Sequence, residues 1–211
     1  MNRIHRLTRA LFASGLIGVG LVGLRFGDFA SVLQEFPTWV PGQTALVYAA
    51  AVLMVLGGTG LLFARTAAWS ARVLFFYLAL WVVLLNVPLV LKAPLVEVNW
   101  QGMAEIVVIL AGGWVLFATL DAPLVGSASR FPAGAHGIRV AQLLFGFSLV
   151  PFGLAHFFNL NQTAPLVPAW LPYHVAWAYL TGAAQIVAGF AVLLSIVPRL
   201  AAMLEAARRS W

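Results

Sequence analysis

The sequence has no cysteine. That excludes disulfides, thiol nucleophiles, thiolate-held iron–sulfur clusters and haem attached through Cys-x-x-Cys-His. Charge is nearly as scarce. Asp, Glu, Lys and Arg make up 9% of the 211 residues, where a soluble domain carries about a quarter. So little charge cannot solvate a globule of this size. The period-two alternation that marks a membrane β-barrel is missing too. The net charge of +6 does not point to nucleic acid, because the basic residues gather at the ends of apolar runs.

What is present is hydrocarbon, 63% of the chain. It falls into charge-poor runs of roughly 20 residues, the length that crosses a ~30 Å apolar layer as a helix. They cover 8–26, 45–64, 67–91, 102–120, 138–158 and 175–197. The expected fold is all-α: a polytopic membrane bundle of about six transmembrane helices in a lipid bilayer. The start, "MNRIHRLTRALFASGLIGVG", has the basic-then-apolar order of a signal peptide. No Ala-x-Ala site follows, so it reads as a retained first helix.

Lys and Arg set the orientation. Arg3, Arg6, Arg9, Arg65, Arg72, Arg130, Arg139, Arg199, Arg208 and Arg209 fall on one side, and Arg25 and Lys92 on the other. The first side is therefore the expected cytoplasmic one, with both termini inside. Asp28, Glu35 and Glu97 then lie in outer loops.

Two of those outer loops share a pattern. Pro37, Trp39 and Pro41 of "EFPTWVPGQ" match Pro168, Trp170 and Pro172 of "APLVPAWLPYH" at an offset of 131 residues. Sliding 10–73 onto 141–204 needs no gap, and it sets Arg25 at the position of His156. Four spans separate equivalent positions. An even number preserves orientation, so the internal repeat is parallel. The organisation expected is a four-helix first half (1–121), a Gly/Ser/Ala/Pro-rich cytoplasmic linker (122–137) and an incomplete second half (138–211). Both Pro-Trp-Pro loops read as external lids.

The second half resembles the DoxX family of small bacterial membrane proteins. Gly153, His156 and Phe157 match its Gly-x-x-His-Phe helix end. Val167, Pro168, Trp170, Leu171 and Pro172 match its external loop. Thr181, Gly182, Ile186 and Gly189 match the start of its next helix. The resemblance implies a four-helix unit in the bacterial inner membrane. It also implies association with quinone or with a redox partner protein, since some relatives are subunits of thiosulfate:quinone oxidoreductase. Gln185 stands where the family carries glutamate, so a carboxylate role is not carried over to it.

Ionisable groups inside spans are functional candidates by default. Glu105 lies about a turn inside the fourth span. It reads either as a protonatable group in an external pocket or as a helix-start carboxylate suited to the dipole. His156 could bond a quinone carbonyl; its plain reading is a helix C-terminal histidine. Arg25 could pair with Asp28 or snorkel to the surface. His174 completes the candidate set with Gln185, and Gln185 and Asn86 also read as cross-helix glue. Asn99 reads as a loop or cap residue. Trp39, Trp100 and Trp170 suit an aromatic belt. The two histidines sit at a helix end and in a loop, so neither haem nor a metal is expected.

The polar residues crowd the external half, which argues against a continuous path through the protein. The expected function is a quinone- or redox-partner-associated membrane subunit with an external pocket, with no covalently bound cofactor. The alternatives are a non-catalytic scaffold for an extracytoplasmic partner and, behind it, a small-molecule or proton transporter.

Overall fold

The structure, a computed structural model, describes residues 3–27, 42–125 and 133–196. Among the described residues six helices are long and apolar enough to cross a membrane. They are α1 (Arg3–Phe26), α2 (Gln43–Leu62), α3 (Ala67–Lys92), α4 (Glu97–Val125), α5 (Gly134–Phe158) and α6 (His174–Leu193). No strand occurs among the described residues. Between α5 and α6 run two short turns, Leu160–Thr163 and Ala164–Leu166.

The expected spans are recovered, with shifted ends. The largest shift is in α4, which starts at Glu97 and runs on to Val125. Glu97, Asn99 and Trp100 are therefore helical, where loop was expected. A turn closed by Val96 N–H on Ala93 O leads into this helix. A carboxylate in its first turn suits the positive end of the dipole. At the other end α4 extends through 122–125, and α5 begins at Gly134, so the helices reach into both ends of the expected linker. The loop with Pro37, Trp39 and Pro41 lies outside the described residues, as do Asp28, Glu35, Arg130, Arg199, Arg208 and Arg209.

Two prolines shape the helices. In α3, residues Val82–Asn86 widen into a π-turn, and Val87 N–H donates to Val82 O. Pro88 follows at once. A proline in a regular helix collides with the carbonyl four residues back, and the wider turn relieves that collision. In α5, Pro151 lies within the helix. It has no N–H, so the Phe147 carbonyl loses its usual helical donor.

Helices α1–α4 form a ring around an apolar core of Met54, Leu61, Leu74, Leu78 and Ile106, all at most 1% exposed. Phe75 stacks on Phe117 at 4.9 Å and tilts against Trp114. The other face of α4 carries α5, and α5 carries α6. Glycine makes the α5–α6 crossing close. A methyl group on Gly153 would lie 2.6 Å from Gly182 O, and one on Gly189 would lie 2.8 Å from Gly146 O. Membrane helices use such small residues to bring backbones together.

The α1–α2 pair crosses in the same way. Gly20 sits on Ala51 O and Val55, and Gly58 on Ala13 O and Ile17. Gly153 meets Gly182 and Ile186, so the second helices of the two pairs correspond at an offset of 131 and the first helices at 133. The stretch between the paired contacts is two residues longer in the first pair. This corrects the gapless register. At the crossing it is Gly23, not Arg25, that corresponds to His156.

Candidate functional site

The end of the bundle where α1 stops and α2 begins is called distal below. It holds most of the polar residues singled out from the sequence. Glu97 opens α4 there. Its Oε2 accepts a hydrogen bond from Asn159 Nδ2 at 2.7 Å, across to the end of α5. Its Oε1 is buried and meets no donor among the described residues. The indole Nε1 of Trp100 donates to Pro94 O at 2.9 Å, and Asn99 Nδ2 reaches Ala93 O at 3.4 Å. These bonds fix the corner between α3 and α4.

Beside this corner runs a groove of about 390 Å³ between α4 and α5. Pro94, Trp100, Phe147, Pro151, Leu154 and Phe158 line it, and Glu97 forms its one carboxylate wall. The Trp100 and Phe147 rings meet edge-on at 6.2 Å. Sequence reasoning missed this site, because Glu97 and Asn159 are 62 residues apart and each looks like an ordinary loop residue.

Glu105 lies two turns deeper on α4, half-buried, with its side chain hydrogen-bonded to Gln101. One heptad further along, Gly112 packs on Phe12 of α1. That spacing returns to nearly the same helix face, so Glu105 turns toward the α1 side. On α5, the His156 Cβ packs on Gly182 of α6, and its Nδ1 is buried with no partner among the described residues. Leu154 and Phe158, two residues to either side of it, line the groove. At about 100° per residue, His156 therefore points away from the groove. Glu105 and His156 thus fall on one flank of the α4–α5 seam and the Glu97 groove on the other. Measured from the Glu97–Asn159 bridge, Glu105 is deeper than His156 by roughly 7 Å.

Gln185 follows Gly182 by three residues and shares this flank. Its Oε1 is also buried without a partner among the described residues. His174 starts α6 after Tyr173, which adopts a left-handed conformation at φ 60°. It shares a stripe with Gln185 but stands roughly 16 Å away along the axis, so the two form no common site. Arg25 is exposed, with its guanidinium 5.7 Å from the Phe26 ring centroid; Asp28, its expected alternative partner, lies outside the described residues.

Two expectations change. Asn86 was expected to bond across helices. It is 1% exposed, and neither side-chain polar atom has a partner among the described residues. Of the two lids, only the second is described. There Leu171 N–H donates to Pro168 O at 2.9 Å, and Trp170 is 79% exposed. Trp170 stands out from the surface rather than closing over the helices.

At the opposite end Arg139 does structural work. It donates to Leu193 O at 3.1 Å and to Ser195 Oγ, tying α5 to the end of α6. A cation suits the C-terminal carbonyls of a helix. From the sequence it served only as an orientation marker. No three His, Asp or Glu side chains converge on a metal position among the described residues.

Residues 145–208 match a domain of unknown function (DUF8561). That stretch holds the Gly146, Gly153, Gly182 and Gly189 contacts and His156. No curated protein and no solved structure matches the chain.

Proposed function

We propose that this chain is a DoxX-like membrane subunit that receives a quinone head group on the flank formed by Glu105 and His156. The single observation that carries the reading is the buried Nδ1 of His156, which meets no partner among the described residues. It lies on the same flank as a half-buried carboxyl that is hydrogen-bonded within its own helix, to Gln101. A quinone offers two carbonyl acceptors and its reduced form two hydroxyl donors. An imidazole and a carboxyl can serve both. Following the Lys/Arg asymmetry, we place the chain in the bacterial inner membrane with both termini in the cytoplasm and this flank toward the outer side.

The test is binding of a short-chain quinone to the purified full-length protein, read by fluorescence quenching and by competition. Wild type should saturate. Glu105→Gln and His156→Ala should each weaken binding about tenfold or more, the scale of one charge-assisted hydrogen bond. Unchanged affinity in both variants, or no saturable binding in wild type, defeats the reading.

One observation favours a second role, the docking of an extracytoplasmic partner. Trp170 and Tyr173 are 79% and 81% exposed in one short loop. Exposed aromatics of this kind anchor protein interfaces. Trp170→Ala should then abolish co-purification of a partner while leaving quinone affinity untouched.

A further inference from the structure

The groove on the other flank of α4 is independent of that reading. Its walls are apolar apart from Glu97, whose Oε1 is buried with no donor among the described residues. One Asn159 N–H goes to Glu97 Oε2 and the Trp100 N–H to Pro94 O, so neither bond reaches Oε1. An occupant must therefore bring its own donor. Indole and phenyl rings beside a carboxylate attract a cation. A quaternary ammonium has charge but no N–H, and a neutral hydroxyl has a donor but no charge. A primary ammonium supplies both. Lys92, which ends α3, and the first turn of α4 meet at the same corner. Both favour an anion, which a phosphate one short linker away would supply. The groove itself accepts an acyl chain.

We propose that the α4–α5 groove is a phospholipid site specific for phosphatidylethanolamine, with the ammonium on Glu97 Oε1 and an acyl chain along Trp100, Phe147 and Leu154. The charge pattern selects this lipid. Phosphatidylcholine has no N–H for Oε1, and phosphatidylglycerol has no cation.

The experiment uses the full chain in mixed micelles with equimolar phosphatidylethanolamine, phosphatidylcholine and phosphatidylglycerol. Native mass spectrometry counts the retained lipids. Wild type should retain phosphatidylethanolamine at least fivefold over either competitor. Glu97→Gln should bring that ratio close to one. Leu154→Trp, which fills the groove without touching the carboxylate, should lower retention of all three. Glu105→Gln should keep the wild-type preference, which separates this site from the quinone reading. Equal retention of phosphatidylethanolamine and phosphatidylcholine by wild type overturns the proposal. So does an unchanged preference in Glu97→Gln, or full retention in Leu154→Trp with helical content intact.

Discussion

Replacing Gly182 by alanine adds one methyl group at a close approach of the α5–α6 crossing. That methyl would lie 2.7 Å from Gly153 O, 2.7 Å from His156 Cβ and 2.8 Å from the Phe157 ring. Ordinary contact begins at 3.4 Å, so the overlap is about 0.7 Å on two sides. Gly153 O is backbone and cannot rotate away. The helices must separate, and Gly146 and Gly189 would then lose their close contact as well. Overpacking of this kind costs about 1–3 kcal/mol. Alanine returns roughly 0.5–1 kcal/mol over glycine as a helix former. The net loss is roughly 0.5–2 kcal/mol.

Gly18→Ala is the control. Gly18 is exposed on α1, and nothing lies within 4 Å of its added methyl. It should gain the propensity term alone and be neutral or stabilised. Both variants are measured by reversible denaturant unfolding in micelles, followed by circular dichroism. The crossing predicts opposite signs for the same chemical change. If Gly182→Ala is as stable as wild type, or if the two variants shift together, the α5–α6 packing described above is wrong.

Asn86→Leu removes two buried polar atoms that have no partner among the described residues. It should raise stability by about 1–2 kcal/mol, measured by the same unfolding titration; a loss would mean that Asn86 is bonded in the membrane. Arg139→Ala removes the bonds to Leu193 O and Ser195. It should cost about 1–2 kcal/mol and speed proteolysis just after α6; an unchanged cleavage rate would refute the capping role.

The helices were legible because hydrocarbon length is a physical ruler. Any charge-poor run of about 20 residues must satisfy its backbone internally in a bilayer. The end of α4 was not legible, because Glu97, Asn99 and Trp100 look like loop when read by polarity. They are helical because a carboxylate and a side-chain bond back to Ala93 suit a first turn. The glycine contacts of the two crossings were not legible. The sequence register was anchored on the proline–tryptophan loops, whereas the crossings depend on where backbones touch. The two extra residues between Gly20 and Ala51 set Gly23, not Arg25, at the His156 position. Glu97–Asn159 and Arg139–Ser195 join residues 62 and 56 apart, and no local spacing encodes such pairs.

The bonding of the polar groups differs between the two ends of the bundle. Where α6 finishes, Arg139 spends its donors on Gln142, Ser195 and Leu193 O. Toward the distal end, Glu97 Oε1, His156 Nδ1 and both polar atoms of Asn86 are buried without a partner among the described residues, and so are Tyr77 OH and Gln185 Oε1 nearer the middle of the spans. In a bilayer no bulk water reaches such atoms, and each costs several kcal/mol if left bare. Native proteins satisfy buried polar groups almost completely once water and ligands are counted. Of these atoms, Glu97 Oε1 and His156 Nδ1 belong to the two places where ligands are proposed. Glu97 and His156 sit on opposite flanks of the α4–α5 seam, so one ligand cannot satisfy both. The proposed quinone and the proposed phospholipid therefore occupy separate places, and removing either should destabilise the protein independently of the other.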